Sequence, residues 1–435
     1  MTLDVYVNGI LVGHLSRDLG EECSFNYLPD TLEDALVSLT MPVTRKGYNW
    51  KSLHPVFQMN LPEGFQKDVA RETLGPVTVT DDFNLLAAVG GRSIGRVTLL
   101  PHGVRPGSAT PDADLAAILS GKDCQQRFID RLRGLHVDAV SGVMPKRLER
   151  THHDKATQAG QEWVIKTGPH DIPLLALNEY LTMRAVEASG LKIPEMRISD
   201  DKSVLAVRRF DFTGQGFLGA EDFCSLKGLP PHRKYEGACE QLARFLNEYV
   251  SPQHLIPARK RLFHLVAFNI AAHNADAHLK NYSLIYSGVH GIDLAPPYDL
   301  ITVTAYPSLK LDLPALPLNG KRTWFPGKDL IAYGMERLGL NKNECLEVMT
   351  AIKSGLEKTI PAVIQQMAEI DGFHEDGKRM IAAWLDGMAA MMLRKKISDE
   401  EMHSNLEAYG LSDERRIKRR NPYKNRDGAF SSKAR

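Results

Sequence analysis

Alternating and helical hydrophobic patterns divide the chain into a β-rich first part and a helical last part. Two short apolar runs, residues 5–7 and 10–12, flank Asn8-Gly9. Asn-Gly is the turn sequence that type I′ hairpins favour, so the pattern predicts a hairpin here. Residues 102–115 are rich in Gly, Pro, Ser and Asp, which indicates a linker. We therefore expect a β-rich N-terminal subdomain over residues 1–105.

The middle of the chain again contains short strand patterns. Residues 163–166 predict one strand, and residues 196–198 and 204–207 predict a hairpin. Between them, residues 172–189 carry apolar side chains at helical spacing. We expect a strand-rich nucleotide-binding lobe over residues 116–215.

Helical patterns dominate the rest of the chain, with one strand-like interruption at residues 282–300. The predicted helices are 237–250, 258–273, 329–338, 342–370 and 375–396. We expect a mostly helical catalytic lobe over residues 216–411. The whole pattern predicts an α+β protein with two lobes, and a ligand would lie in the cleft between them.

Composition is that of a globular protein, because 43% of the 435 residues are hydrophobic and 25% are charged. No run of about 18 apolar residues is present, so no membrane-spanning helix is expected. The N-terminal residues lack the basic and apolar regions of a signal peptide. The five cysteines are scattered and never form Cys-x-x-Cys, which is typical of reduced thiols. We expect a cytoplasmic protein without a membrane contact.

Charge is distributed unevenly along the chain, although the formal net charge is only +1. Residues 412–435 carry nine basic and three acidic side chains, whereas the remainder carries 45 basic and 50 acidic ones. The sequence therefore predicts a basic, flexible tail after a mildly acidic body. Such a tail suits contact with nucleic acid or with an acidic partner.

The most informative polar segment, residues 273–283, follows a predicted helix and precedes the apolar run 284–286. Within it, Asp276 and Asn281 have the Asp-x-x-x-x-Asn spacing of the base and the metal-binding Asn in protein kinases. A predicted hairpin then leads to Asp299. Transfer of a phosphoryl group from ATP needs a carboxylate at the attacking hydroxyl and oxygen ligands for Mg²⁺. This segment contains both.

Residues farther upstream supply the other parts that phosphoryl transfer needs. Lys166 ends a predicted strand, and Glu179 lies on the next helix, where it can pair with Lys166. Arg208, Arg209 and Phe210 close the strand-rich lobe, where a hinge would meet adenine. Backbone N–H groups and a lysine in an earlier turn could hold phosphates. This turn consists of Ser141, Gly142, Val143, Met144, Pro145 and Lys146.

The pattern alone leaves other interpretations open. His273, Asp276 and His278 could ligate a transition metal, although two histidines five positions apart do not share a helix face. Asp276 and His278 could instead be a helix cap and a core histidine. Residues 90–95, Gly-Gly-Arg-Ser-Ile-Gly, are similar to a phosphate loop, but they run into a predicted strand at 96–100. That continuation favours a hairpin turn.

Several separated motifs make the chain resemble the HipA-type serine/threonine kinases, the toxin half of bacterial toxin–antitoxin pairs. The resemblance spans about residues 1–400 and implies a two-lobed fold related to phosphoinositide kinases, with an added N-terminal subdomain. Its motifs are SGVMPK (141–146), VIK (164–166), NEY (178–180), RRFD (208–211), EDFC (221–224), KYE (234–236), ADAHLKNYS (275–283), PPYD (296–299) and LNGKR (318–322).

The resemblance also implies a role for each candidate residue. Asp276 would be the catalytic base, Asn281 and Asp299 the Mg²⁺ ligands, and Lys166 the phosphate-binding lysine. Gly142–Lys146 would form the ATP phosphate loop. The hinge would be Arg208–Phe210, with His278, Lys280 and Tyr298 completing the nucleotide site.

Partners follow from the same resemblance. A helix-turn-helix antitoxin would bind the chain and carry it to operator DNA, and the substrate would be a translation component such as an aminoacyl-tRNA synthetase. Relatives often phosphorylate their own serine three residues before the loop glycine, where this chain has Ala139, so Ser141 is the alternative acceptor. Lys321-Arg322 and the basic tail leave a second function open, an antitoxin-bound co-repressor with little kinase activity.

Overall fold

The computed structural model describes most of the chain. The described residues are 1–19, 21–62, 81–91, 93–106, 114–137, 156–159, 162–169, 171–172, 174–392 and 398–411. The predicted phosphate loop, residues 141–146, and the predicted basic tail, residues 412–435, lie outside the described residues. The expectations for these two segments therefore stay predictions.

A five-stranded antiparallel sheet forms the N-terminal unit. Its strands are β1 (Thr2–Val7), β2 (Ile10–Arg17), β3 (Cys23–Tyr27), β4 (Tyr48–Trp50) and β5 (Val97–Pro101), in the spatial order β4-β3-β2-β1-β5. Asn8 and Gly9 join β1 to β2 with φ of 48° and 80°. Type I′ turns need positive φ at both positions, so the predicted hairpin is confirmed.

Two helices, α1 (Pro55–Gln58) and α2 (Asp82–Val89), close the apolar face of this sheet. Residues 90–95 connect α2 to β5, so the hairpin turn predicted there is wrong. The loop instead contacts the end of the strand-rich lobe. The Gly95 N–H donates to Asp211 Oδ2 at 2.7 Å, and Arg209 Nη2 donates to the Ser93 carbonyl at 3.1 Å. Gly95 permits this contact by adopting a φ of 89°, which glycine tolerates without strain.

A second antiparallel sheet forms the middle lobe, and helices cover both of its faces. The elements are α3 (Leu115–Leu119), α4 (Cys124–Val137), β6 (Ala156–Ala159), β7 (Trp163–Thr167), α5 (Leu175–Ala188), β8 (Met196–Ile198) and β9 (Val204–Arg208), and the strand order is β6-β7-β9-β8. Ile165 and Ala206 pack against α3 and α4, whereas Leu205 packs against α5. The hydrophobic pattern indicated α5 and the β8–β9 hairpin but not α3 and α4.

The remaining elements form the helical lobe and a small sheet at its edge. They are β10 (Gly219–Asp222), α6 (Phe223–Leu226), α7 (Cys239–Tyr249), α8 (Pro252–Ala271), β11 (Ser283–Tyr286), β12 (Asp293–Leu294), α9 (Gly327–Leu338), α10 (Lys342–Glu369), α11 (His374–Met391) and α12 (Asp399–Ala408). Helix α8 begins six residues earlier than predicted, because Pro252 occupies a first-turn position that needs no backbone N–H. The strand-like interruption contains only the short strands β11 and β12.

Close packing between α10 and α5 fixes the strand-rich lobe against the helical lobe. A Cβ atom at Gly355 would lie 2.7 Å from the Ala185 carbonyl oxygen, so only glycine permits this approach. Helix α5 therefore has little freedom to shift. None of the described helices is long and apolar enough to cross a membrane.

Three buried histidines make stability sensitive to acid. Burial lowers the pKa of His54, His264 and His278 to about 4, against 6.5 for an exposed histidine. In the unfolded chain these histidines therefore bind protons below about pH 6.5, whereas in the folded chain they bind them only near pH 4. Stability is nearly complete at pH 7 and falls as the pH drops towards 4, by about 2 kcal/mol per histidine between pH 7 and pH 5.

His264 tests this prediction because its Nε2 lies 2.8 Å from a neutral group, the Ser189 hydroxyl oxygen. In His264→Gln, the loss of unfolding free energy between pH 7 and pH 5 is expected to be smaller by one histidine's share. Urea unfolding at the two pH values measures this difference. His403→Gln is the control, because His403 is partly exposed and pairs with Glu407 on its own helix. An unchanged pH dependence in His264→Gln would contradict the prediction.

Candidate active site

A buried ion pair joins β7 to α5. Lys166 Nζ, at the end of β7, contacts Glu179 Oε1 on α5 and lies 3.3 Å from Asp299 Oδ1. Burial disfavours the charged form of Lys166, but the negative charges of Glu179 and Asp299 prevail and raise its pKa above the ordinary value. Lys166 is therefore a cation at neutral pH, and the pairing predicted for Glu179 is present.

Asp299 and Asn281 lie side by side. The Asn281 amide nitrogen is 3.4 Å from Asp299 Oδ2 and 3.3 Å from the Asp299 carbonyl oxygen. Asp299 has a φ of 59°, in the left-handed region that Asp, Asn and Gly tolerate best. One carboxylate and one amide oxygen at this position are the hard ligands that Mg²⁺ prefers, so the donor set fits a magnesium ion bound to phosphates.

A buried polar network holds the chain that follows Asp299. The Asn178 amide donates to the Thr302 carbonyl at 3.1 Å, and the Thr302 N–H donates to Asn178 Oδ1 at 2.9 Å. Trp384 Nε1 on α11 donates to Thr302 Oγ1 at 2.7 Å. Because Asn178 and Glu179 are neighbours on α5, one turn of this helix fixes both Lys166 and the segment that carries Asp299.

Asp276 lies in the polar loop after α8 and is half-buried. The Tyr235 hydroxyl donates to Asp276 Oδ1 at 2.5 Å, and the Asp276 N–H donates to Asn274 Oδ1 at 3.2 Å. Arg322 Nη2 donates to the Tyr235 carbonyl at 3.2 Å, which fixes the tyrosine in turn. The carboxylate is thus oriented by a partner 41 residues away in the sequence.

His278 is buried near the Asp276 and Asp299 carboxylates. Burial lowers its pKa to about 4, although the charges of Asp276 and Asp299 act in the opposite direction. The ring is therefore neutral at pH 7, and it contacts Tyr235 edge-on with ring centroids 5.2 Å apart. Within the described part of the chain, its buried Nδ1 has no hydrogen-bond partner. This nitrogen could bind an oxygen of a ligand, which fits the predicted place beside the phosphates.

Lys280 and Tyr298 also lie next to this group. Lys280 Nζ donates to the Met59 carbonyl at 3.2 Å, so this lysine reaches towards the N-terminal unit. The Tyr298 hydroxyl contacts Ser283 Oγ and donates to the Lys280 carbonyl at 2.8 Å. Phe210 packs against the Tyr298 ring, with centroids 5.6 Å apart. Phe210 is thus the hinge side chain in contact with this group.

The two arginines of the predicted hinge lie elsewhere. Arg208 is exposed and lies 3.3 Å from Glu195. Arg209 is buried, pairs with Asp211 at 2.5 Å, and faces the loop of the N-terminal unit described above. A cavity of about 510 Å³ borders the hinge, but neither Lys166 nor Asp299 lines it. Contact between the hinge and adenine therefore stays a prediction.

The alternative metal site at residues 273–278 is not supported by the geometry. His273 stacks on Trp324, with ring centroids 4.3 Å apart, and its Nε2 lies 3.6 Å from Asp386. Within the described ranges, His273, Asp276 and His278 do not form a group of converging ligand atoms. His278 is instead a buried histidine beside two carboxylates.

Sequence reasoning missed two residues that orient the site, Tyr235 and Asn178. Both belong to the resemblance motifs KYE and NEY, but no spacing rule assigned them a partner. A tyrosine or an asparagine has too many common structural uses for its residue type alone to indicate a role. The motifs themselves were the available signal.

The fold and these contacts define an α+β protein of the kinase-like class. The structure resembles that of HipA from Shewanella oneidensis, solved as a complex of HipA, HipB and operator DNA. The match has a TM-score of 0.64 and 19% identity, and covers 88% of this chain and 96% of that one.

This chain belongs to the HipA family. The family model of the HipA-like C-terminal domain matches residues 139–360, and that of the HipA N-terminal domain matches residues 3–100. Similar proteins include the serine/threonine-protein kinase toxin HipA of Shewanella oneidensis, 26% identical over 85% of this chain and 91% of that protein. Another is Y4mE of Sinorhizobium fredii, whose name gives kinase as a provisional assignment. It is 29% identical over 71% of this chain and 78% of that protein. The chain is accordingly a HipA-type kinase.

Proposed function

We propose that this HipA-type kinase is an ATP- and Mg²⁺-dependent protein serine/threonine kinase and the toxin of a toxin–antitoxin pair. One observation carries the proposal. Lys166, Asn281 and Asp299 converge although 133 residues separate Lys166 from Asp299. A cation, an amide and a carboxylate grouped in this way are what the binding of a metal–triphosphate complex requires.

Each residue then has a distinct task. Lys166, kept charged by Glu179, binds a phosphate oxygen of ATP. Asn281 and Asp299 hold Mg²⁺, which would neutralise negative charge on the phosphates. Asp276, oriented by Tyr235, accepts the proton of the attacking serine or threonine hydroxyl.

The substrate class proposed is a translation component such as an aminoacyl-tRNA synthetase, which is what the resemblance to HipA-type kinases implies. Ser141 is proposed as the autophosphorylation site, since Ala139 occupies the position that relatives often phosphorylate.

Chelation of Mg²⁺ tests the proposed activity. The purified protein is incubated with labelled ATP and a set of aminoacyl-tRNA synthetases, with and without EDTA. We expect label on serine or threonine, complete loss with EDTA, and recovery when excess Mg²⁺ is restored. Transfer that persists in EDTA, or label found only on tyrosine, would contradict the proposal.

We also propose a helix-turn-helix antitoxin as the partner, through which the chain reaches operator DNA. The solved structure of similar fold contains HipA with HipB and operator DNA, which favours this partner over direct DNA binding. Gel shifts across a salt series, with and without a candidate helix-turn-helix antitoxin, test it. We expect salt-dependent retardation of operator DNA only when both proteins are present. Equal retardation by this chain alone would contradict an antitoxin-dependent contact.

A further inference from the structure

Three residues of the N-terminal unit meet on the polar face of its sheet. Asp4 on β1 lies directly opposite His14 on β2. On the other side, Asp4 is paired with Leu100 of β5, so His102, two residues later, lies on the same face as Asp4. The antiparallel pairing therefore brings together two imidazoles and one carboxylate that are distant in the sequence.

Both histidine rings direct their Nδ1 atoms towards the same carboxylate oxygen of Asp4. Nδ1 of His14 and Nδ1 of His102 each lie 2.8 Å from Asp4 Oδ1, and the rings are edge-to-face with centroids 5.5 Å apart. The second carboxylate oxygen, Oδ2, accepts the Gly103 N–H at 2.9 Å. The carboxylate is thus held by the backbone while one of its oxygens faces both rings.

Access to this group is from one side. The Asp4 side chain is 5% exposed, whereas those of His14 and His102 are 34% and 68% exposed. The Asp4 carboxylate is therefore buried beneath the two imidazole rings, and solvent reaches the group from the side of the rings. A ligand could reach the group from the solvent side, past the two histidines, without disturbing the apolar core on the opposite face of the sheet.

We propose that Asp4, His14 and His102 bind a divalent transition-metal ion of the Zn²⁺ type. The ligand atoms lie within 4.8 Å of one another. Two imidazole nitrogens and one carboxylate oxygen suit Zn²⁺, Co²⁺ and Ni²⁺ better than Mg²⁺. The hydrogen bond from Gly103 supplies the outer contact that orients a ligating carboxylate. Three protein ligands leave one tetrahedral position for water.

Binding would cross-link β1, β2 and the segment after β5. Each ring must carry its proton on Nε2, so that the Nδ1 lone pair is available to the ion. The site shares no residue with the Lys166–Asp299 group, so its existence does not depend on the proposed kinase activity.

Cobalt binding tests the proposal directly. Untagged full-length protein is titrated with Co²⁺ in excess Mg²⁺, which occupies oxygen-only sites, and visible absorption reports nitrogen and oxygen ligands around the ion. We expect about one equivalent of Co²⁺ to bind and Zn²⁺ to displace it. Zn²⁺ is also expected to raise the melting temperature.

Two variants and a control make the result specific. Asp4→Asn and His102→Gln are each expected to weaken Co²⁺ binding at least about tenfold, because each removes one of three ligands. His102→Gln alters a largely exposed side chain, so it remains informative if Asp4→Asn fails to fold. His403→Gln, at another histidine–carboxylate pair, should bind Co²⁺ like the wild type. Absence of Co²⁺ uptake by the wild type, or unchanged uptake by His102→Gln, would overturn the proposal.

Discussion

Replacing Asp276 by Asn is expected to lower the rate of phosphate transfer by about 10²- to 10⁴-fold, the usual contribution of a general base. The amide has nearly the same size, and its oxygen can still accept the Tyr235 hydroxyl, so the loop should keep its conformation. An amide oxygen cannot take the proton of the attacking hydroxyl. Affinity for Mg·ATP should stay nearly unchanged, because Lys166, Asn281 and Asp299 are intact.

Single-turnover transfer from labelled ATP, together with calorimetric titration of Mg·ATP, separates these two effects. Asp312→Asn is the matched control, since Asp312 is an exposed carboxylate of the same lobe. Transfer by Asp276→Asn at the wild-type rate would show that Asp276 is not the base. That result would leave the nucleotide site itself in place.

Replacing Asp299 by Asn is expected to act on binding rather than on proton transfer. Asn tolerates a φ of 59° as readily as Asp, so the substitution should not add backbone strain. It removes a negative charge from the proposed Mg²⁺ site and one of the two carboxylates that contact Lys166. Loss of a charged contact of about 1.5–3 kcal/mol corresponds to about a 10- to 100-fold weaker Mg·ATP affinity.

The measurement is the dissociation constant of ATP at several Mg²⁺ concentrations. The effect should be largest at low Mg²⁺ and smaller when Mg²⁺ is saturating. Asp293→Asn is the control, because Asp293 lies at the end of the preceding hairpin and contacts Arg261 instead of the site. An unchanged affinity for Mg·ATP in Asp299→Asn would remove Asp299 from the list of ligands.

Local patterns were sufficient to predict much of the architecture. Asn8-Gly9 can adopt the left-handed conformations of a tight hairpin with little strain, so the turn was readable from two residues. Long apolar periodicities gave most of the large helices, including α10, which ends within one residue of the prediction. The Asp-x-x-x-x-Asn spacing of kinases and the hairpin that leads to Asp299 also predict that Asn281 and Asp299 belong to one group.

Contacts between distant segments were not predictable in the same way. Asn178 and Thr302 are 124 residues apart, and each is an ordinary polar residue within its own segment. The prediction of a hairpin turn at residues 90–95 is wrong, because glycines fit several kinds of turn. The conformation of this loop depends on the packing of Ser93 and Gly95 against Arg209 and Asp211. Such pairings depend on tertiary structure, which no window of the sequence contains.

Glu221 on β10 links the N-terminal unit to the rest of the chain, and this link affects how the protein unfolds. This carboxylate is 1% exposed, and burial raises its pKa. It accepts the Ser38 hydroxyl and the Leu39 N–H at 2.7 Å from the N-terminal unit, and the Tyr286 hydroxyl at 2.6 Å from β11. Removal of the N-terminal unit would remove two of these three hydrogen-bond donors. The buried Glu221 carboxylate would then lack these two hydrogen bonds in an apolar environment, which costs stability. We therefore expect the segments matched by the two family models to unfold as one cooperative unit.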